Sequence, residues 1–81
     1  MMGPLHEGLY CGHCLAGDDI HEETMTFAQA KEWADRHPLC HGFTFQHPVR
    51  RPEEPVRIWF KSRLRVLHSD DWWSYSLGRG M

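Results

Sequence analysis

The sequence predicts an α+β fold, in which one helix packs on a small antiparallel sheet. Three observations predict it: a capped amphipathic segment that begins at Thr26, a regularly alternating segment over residues 56–66, and two shorter strand-like segments at residues 42–45 and 72–77. A first strand at residues 5–11 completes the order of strand, helix and three further strands.

The length and the aromatic content indicate one folded domain. The chain has 81 residues, which we assign to a single domain over residues 1–81 with its core at about 5–77. Its four Trp, four Phe and two Tyr side chains could supply most of that core, since each buried aromatic removes roughly 150–250 Å² from water. Such a composition argues against disorder.

The helix has both a start signal and a stop signal. Thr26 is followed three residues later by Gln29, and this spacing is typical of a capping box that satisfies two backbone N–H groups. Pro38 marks the end, because proline excludes the preceding residue from helical geometry. The apolar positions then recur at helical spacing on one face, namely Phe27, Ala30, Trp33 and Ala34.

Residues 56–66 form the most regular strand pattern, with a bend or a turn expected near Ser62 or Arg63. Successive side chains of a strand point to opposite faces, so the alternation predicts one buried face. The predicted buried side chains are Val56, Ile58, Phe60, Leu64 and Val66. The opposite face carries Arg57, Trp59, Lys61, Arg63 and Arg65.

The remaining segments read as connections or as core. We expect residues 12–23 to be a loop, residues 47–55 to be a proline-rich loop and residues 68–71 to be a turn. Several aromatic side chains are expected in the core and not in a ligand site, namely Trp33, Phe43, Phe45, Trp73 and Tyr75.

The sequence resembles a PAN/apple-like domain over roughly residues 8–77. The resemblance rests on four segments in this order: residues 30–33 (Ala-Lys-Glu-Trp), 40–45 (Cys-His-Gly-Phe-Thr-Phe), 58–62 (Ile-Trp-Phe-Lys-Ser) and 71–75 (Asp-Trp-Trp-Ser-Tyr). It implies a helix cradled by a curved antiparallel sheet, and a non-catalytic role in binding proteins or carbohydrates.

The cysteines depart from this family. Extracellular members join the helix to the sheet by disulfides, but here Ala34 stands at the helix position that would carry a cysteine, so Cys40 lacks that partner. The disulfide and the extracellular setting therefore do not carry over. With three cysteines, no signal peptide at the N-terminus and no apolar run of about 20 residues, we expect an intracellular protein that is not inserted in a membrane.

The basic strand face is the preferred candidate for ligand binding. Cations that flank an aromatic side chain suit phosphates, sulfates or acidic peptides, and Trp59 could stack on a sugar ring or a base. The alternative is a solvated outer face on which arginine stems cover Trp59. The candidate residues are Arg57, Trp59, Lys61, Arg63 and Arg65.

Charge is distributed unevenly along the chain. Residues 1–45 carry two bases and seven acids, and residues 46–81 carry seven bases and four acids, so the halves have net charges of −5 and +3. This asymmetry indicates either a surface for an anionic partner or, as we favour, a match between the halves within the fold. The overall charge of −2 argues against a dedicated nucleic-acid binder.

A structural zinc site is the alternative function, and otherwise no cofactor is expected. Cys11 and Cys14 have the spacing that lets two thiolates reach one tetrahedral zinc ion. Cys40 and one of His6, His13, His37 or His41, of which His41 is our choice, would complete the set, and zinc would stabilise so small a fold. The chain lacks a second Cys-x-x-Cys pair, and none of its closely spaced histidine pairs stands at the distance from Cys14 that a zinc finger has.

Catalysis is not expected. Residues 11–14 (Cys-Gly-His-Cys) match the letters of a disulfide-exchange site, but that chemistry needs a helix N-terminus to stabilise the thiolate, and no helix pattern follows Cys14. The sequence has no glycine-rich phosphate loop and no Ser/His/Asp arrangement. We therefore predict no catalytic residues, and a monomeric binding module for a protein, a peptide, a carbohydrate or an anionic ligand.

Overall fold

The computed structural model describes residues 6–14, 19–49 and 51–78. Within these ranges one helix and an antiparallel sheet of five strands confirm the α+β class. Within the same ranges, no helix is long and apolar enough to cross a membrane. The elements are β1 (Gly8–Cys11), β2 (His13–Cys14), β3 (Asp19–Met25), α1 (Phe27–Asp35), β4 (Gly42–Gln46), β5 (Val56–Lys61), β6 (Val66–Leu67) and β7 (Trp72–Ser76).

The five-stranded sheet has the order β1-β7-β4-β5-β3, and every neighbouring pair is antiparallel. The centre of the sheet is β4, whose Phe43 lies opposite Phe60 of β5 and Tyr75 of β7. The strands β1 and β3 are the two edges. A separate two-stranded sheet pairs β2 with β6.

The helix begins at the predicted capping box. The backbone N–H of Gln29 donates to Thr26 Oγ1 at 3.2 Å, and the backbone N–H of Thr26 donates to Gln29 Oε1 at 3.0 Å. The helix ends at Asp35, three residues before Pro38. Its apolar stripe is buried at Phe27, Ala30 and Ala34.

The core is built from aromatic rings that meet edge to face or at a tilt. The ring of Phe27 lies 5.6 Å from that of Phe43 and 5.6 Å from that of Tyr75, with interplanar angles of 65° and 89°. Such arrangements match the positive edge of one ring to the negative face of another. Because alternate residues share a face, Phe43, Phe45, Phe60 and Tyr75 all lie on one face of the sheet, which we call the core face.

The prediction of a loop over residues 12–23 was wrong. The chain forms β2 at His13–Cys14 and then β3 at Asp19–Met25, which pairs with β5 from Asp19↔Lys61 to Met25↔Val56. Acidic residues have low strand propensity, so the composition of β3 gave no strand signal. Two bases of β5, Arg57 and Lys61, form ion pairs with Glu22 and Asp19 of β3 across this pairing.

The predicted strand over residues 56–66 is shorter than its alternation suggested. It ends at Lys61, the chain bends at Ser62 and Arg63 as expected, and Val66–Leu67 form β6 in the second sheet. Residues 47–49 and 51–55 form no helix or strand, which agrees with the predicted loop; residue 50 lies outside the described part. The predicted strands at residues 42–45 and 72–77 are confirmed.

Tyr75 gives the fold a predicted dependence on alkaline pH. Its hydroxyl donates to Glu7 Oε2 at 2.8 Å, and burial, this hydrogen bond and the charge of Glu7 raise its pKa to about 12. In the unfolded chain the pKa returns to its ordinary value of about 10. We therefore expect stability to be retained below about pH 10 and to fall by about 2–3 kcal/mol as the pH rises to about 12.

Urea unfolding measured from neutral pH to about pH 12 tests this expectation, because the unfolded state alone ionises Tyr75 in that window. The Tyr75→Phe variant is the matched control, and its stability should lose this part of the pH dependence. An equal alkaline loss in both proteins would contradict the assignment to Tyr75.

Candidate ligand-binding face

The structure divides the predicted basic face into two groups. Arg57, Trp59 and Lys61 alternate along β5 and therefore point to one side of the sheet, opposite the core face. Arg63 and Arg65 lie beyond the end of β5, in the exposed segment that leads to β6. The five predicted residues thus do not form one continuous strand face.

Lys61 is not an exposed cation, which corrects its predicted role. Only 3% of the residue is accessible, and its Nζ lies 2.6 Å from Asp19 Oδ1 on β3. The register places Asp19 directly opposite Lys61, so the two charges meet when β3 pairs with β5. A buried ammonium group that is held by a carboxylate is poorly placed to bind an external anion.

Arg57 is exposed but is also paired. Its Nε lies 3.0 Å from Glu22 Oε2, and the side chains are 64% and 44% exposed, so the contribution of this pair to stability is small. The guanidinium carbon lies 6.0 Å from the ring centre of Trp59, which is within the range of a cation–π contact. Arg57 therefore lies beside Trp59 with its charge balanced by Glu22.

The pairing of β3 with β5 accounts for part of the charge asymmetry between the two halves of the chain. Asp19 and Glu22 belong to the acidic half, and their partners Lys61 and Arg57 belong to the basic half. Two pairs of opposite charges are matched across the two strands in this way, which agrees with the favoured interpretation. The β5 part of the predicted face consequently carries no net positive charge.

Two tryptophans meet on the face opposite the core. The ring centres of Trp59 and Trp72 are 5.5 Å apart with an interplanar angle of 42°, and both residues are half-buried. The rings belong to β5 and β7, which flank β4. A tilted, partly accessible indole pair offers an apolar surface with an open side.

Small side chains on the central strands allow these indoles to approach. Trp59 lies opposite Thr44 of β4, and Thr44 lies opposite Ser74 of β7. Thr44 and Ser74 are buried, their hydroxyl oxygens are 2.9 Å apart, and the Ser74 hydroxyl donates to the carbonyl oxygen of Gly12 at 2.8 Å. This buried polar layer holds the start of β2 against the sheet.

His13 and Gln46 complete the surroundings of the pair. The imidazole ring of His13 on β2 lies 5.8 Å from the ring of Trp72, tilted by 58°. Gln46 is exposed and lies opposite Trp72 in the register of β4 and β7. We call Trp59, Trp72 and His13 the aromatic platform; its polar surroundings are Gln46 and the Arg57–Glu22 pair.

The sequence prediction included Trp59 but missed the other two members of the platform. A signal for Trp72 was present: Trp73 and Tyr75 were expected in the core, and alternation in a strand then places Trp72 on the opposite face. No local pattern identified His13. Its contact with Trp72 depends on the position of β2 beside β7, where the backbone N–H of Gly12 donates to the carbonyl oxygen of Trp72.

Two of the predicted zinc ligands, Cys11 and Cys40, lie at positions that are far apart along the strand direction of the sheet. Cys11 lies opposite Trp73, whereas Gly42, two residues after Cys40, lies opposite Ser76. Trp73 and Ser76 are three residues apart, or about 10 Å along a strand, whereas two thiolates on one zinc ion are about 4 Å apart. Cys11 and Cys40 therefore do not meet as ligands of one ion.

Each of these two thiols has its own contact. Cys11 Sγ donates to the carbonyl oxygen of Ser69 at 3.5 Å, and Cys40 Sγ, which is buried, donates to that of Gly42 at 3.3 Å. The backbone N–H of His41 donates to the carbonyl oxygen of Lys61. Within residues 6–14, 19–49 and 51–78 no three His, Cys, Asp or Glu side chains form a metal-binding group; the side chain of Cys14 lies outside the described part.

The segment around Cys11 also lacks the geometry of a disulfide-exchange site. Cys11 is the last residue of β1, Gly12 follows it and His13–Cys14 form β2. The next described helix begins only at Phe27, so Cys11 is not at a helix N-terminus. Cys11 therefore lies in an extended segment, and no helix N-terminus of the described residues points at its thiol.

No protein-family model matches this chain, and comparisons with curated proteins and with solved structures found no similar protein. The resemblance to PAN/apple-like domains accordingly stays a prediction from the four sequence segments. The function has to be argued from the geometry of the candidate site itself.

Proposed function

We propose that this chain is a non-catalytic binding module whose aromatic platform binds the ring of a neutral carbohydrate. The observation that carries the proposal is the half-buried Trp59–Trp72 pair, which presents apolar surface between polar side chains. A sugar ring has an apolar C–H face and a rim of hydroxyl groups, so it matches such a surface. Gln46 and the Arg57–Glu22 pair supply donors and acceptors for the hydroxyl groups.

The charges favour a neutral ligand over the anionic ligands that the sequence also suggested. Lys61 is held by Asp19 and Arg57 by Glu22, so the platform presents no uncompensated cation of β5. An anion would have to compete with these carboxylates for its hydrogen bonds. A neutral polyol can instead bind beside the ion pair without breaking it.

The PAN/apple-like architecture forms part of the same proposal. The ring contacts of Phe27 with Phe43 and Tyr75 support a helix that is cradled by a curved antiparallel sheet. The family resemblance implies binding of proteins or carbohydrates without catalysis. We propose that the platform is the surface through which this chain performs that role.

A protein surface is the second candidate ligand. Tryptophan and arginine are enriched among the residues that contribute most to protein–protein binding, and the cation–π contact of Arg57 with Trp59 provides both together. A protein partner would cover a larger area than a sugar. It would therefore also be sensitive to substitutions outside the platform.

Fluorescence titration with neutral oligosaccharides and their sulfated counterparts tests the proposal, because two of the four tryptophans lie in the platform. We expect Trp72→Ala to weaken binding by about tenfold or more, as the loss of one stacking ring does in nucleic-acid sites. Arg65→Ala, which removes an exposed cation outside the platform, serves as the control and should change affinity less than about twofold.

Two outcomes would overturn the carbohydrate proposal. Stronger, salt-sensitive binding of the sulfated sugars, with Arg63 and Arg65 required, would return the function to the basic residues. Absence of binding to every neutral sugar, with capture of a protein that Trp72→Ala abolishes, would favour the second candidate.

A further inference from the structure

A cleft separates the edge strand β3 from the helix. Its volume is about 330 Å³, and it is open to solvent along one side. Residues 23–25 of β3 form one wall, and four side chains of α1 and its C-cap form the other, namely Gln29, Glu32, Trp33 and Arg36. The cleft lies on the helix side of the sheet, whereas the aromatic platform lies on the opposite side.

The helix wall is a continuous stripe next to the buried one, and its Trp33 also packs against the core. Positions 29, 32, 33 and 36 have the i, i+3, i+4, i+7 spacing of one helix face, while the buried stripe is at Phe27, Ala30 and Ala34. Seven residues of helix rise by about 10 Å, which equals the length of three residues of extended chain. The cleft thus has the length of a short strand.

The other wall is the edge strand β3, whose backbone pairs with a described strand on one side only. In the sheet β3 pairs with β5 alone among the described strands, so its outer backbone N–H and C=O groups are not used by another described strand. Such an edge is a template for an added strand from another chain. An edge strand next to a helix groove is a geometry in which extended peptides bind.

The helix wall of the cleft is packed among aromatic rings at Trp33. The indole of Trp33 stacks with the imidazole rings of His21 at 4.6 Å and His37 at 3.6 Å, with interplanar angles of 9° and 11°. It also lies 4.1 Å from the ring of Phe60 in the core. These three ring contacts hold Trp33 in the helix wall of the cleft.

The charges in the cleft favour a basic side chain. Glu23 and Glu32 stand on opposite walls, and Arg36 is the one base among the residues that line the cleft. His21 Nε2 lies 2.8 Å from Glu23 Oε1 and orients this carboxylate. A cationic side chain placed between the two walls could form charge-assisted hydrogen bonds with both carboxylates.

We propose that this cleft binds an extended peptide segment by strand addition to β3, with one lysine or arginine side chain of the peptide placed between Glu23 and Glu32. The partner is a protein chain with a basic, strand-forming segment. This site is separate from the aromatic platform, so it stands or falls independently of the carbohydrate proposal.

Binding of short peptides, followed by NMR chemical-shift changes on the full chain, tests the inference. The first probe is the blocked pentapeptide Thr-Val-Lys-Val-Thr, and its twins carry Glu in place of Lys or N-methyl groups on alternate backbone nitrogens. We expect shift changes in β3 and α1 with the lysine peptide. We expect at least about tenfold weaker binding of the glutamate peptide and of the N-methylated peptide.

Substitutions in the protein separate the cleft from general electrostatics. Glu32→Gln, and Glu23→Gln together with it, should weaken the lysine peptide by about tenfold, while Glu53→Gln removes an exposed acid of the loop before β5 and should leave affinity unchanged. Binding of none of the peptides at millimolar concentration would overturn the proposal. So would equal binding of the lysine and glutamate peptides, or shift changes confined to residues outside β3 and α1.

Discussion

Phe43→Ala is expected to unfold the protein at 25 °C. Phe43 is fully buried at the centre of the sheet, and its ring lies within 5.3 to 6.2 Å of the rings of Phe27, Phe45, Phe60 and Tyr75. Its truncation removes about 3–5 kcal/mol from the free energy of unfolding, which is close to the whole stability of about 5 kcal/mol for a domain of this size. Loss of the near-ultraviolet circular dichroism signal would report it.

Two further variants keep this prediction measurable. Phe43→Leu retains most of the volume and should cost less than about 1.5 kcal/mol in urea unfolding, so the protein stays folded. Leu39→Ala removes a similar apolar side chain that is 73% exposed, and it should change stability by less than about 0.5 kcal/mol. A loss below about 1 kcal/mol for Phe43→Ala would show that the centre of the core lies elsewhere.

Gly42→Ala is expected to cost at least about 3 kcal/mol, although the change adds a single methyl group. A Cβ atom at Gly42 would overlap the backbone carbonyl oxygen of Tyr75 and the side chain of Leu64. The carbonyl cannot move without displacing β7 from β4, because Gly42 lies opposite Ser76 in the register of the two strands. The midpoint of urea unfolding measures the loss.

Gly8→Ala is the matched control for this substitution. A Cβ at Gly8 meets no heavy atom within 4 Å, but the backbone φ of 144° is unfavourable for a residue with a side chain. We expect a cost of about 1 kcal/mol from this conformation alone. If Gly42→Ala were no more costly than Gly8→Ala, close approach of β4 and β7 could not be the reason for glycine at position 42.

The sequence was sufficient where a local rule determined the structure. Thr26 and Gln29 form both hydrogen bonds of the predicted capping box, and the helix stops before Pro38. Phe43, Phe45 and Tyr75 were expected in the core and are buried there. Each of these features depends on spacing within a few residues, which a sequence displays directly.

The sequence was insufficient where the structure depends on pairing between distant segments. β3 is acidic and has no apolar alternation, so its strand conformation follows from its pairing with β5 and not from its own composition. The same pairing explains the error at Lys61, because its neutralising partner Asp19 lies 42 positions earlier in the chain. Neither outcome can be read from a window of neighbouring residues.

The candidate site was predicted in part for the same reason. Trp59 was selected from the alternation of residues 56–66, which reports the face of one strand. Trp72 joins it only because β4 lies between β5 and β7 and carries a small residue, Thr44, opposite Trp59. Strand order is a property of the whole chain, so the pair could not be inferred from either segment alone.

The position of β7 in the sheet also has a consequence for biosynthesis. β7 lies between β1 and β4 in the sheet. Both of these strands are synthesised before residues 72–76, so neither can pair with β7 until the end of translation. Until that segment emerges from the ribosome, β1 has no described strand to pair with, and β4 has only one of its two described neighbours, β5. The sheet can therefore close only after translation of its last strand, and nascent chains interrupted before Trp72 would expose an apolar centre to chaperones and proteases.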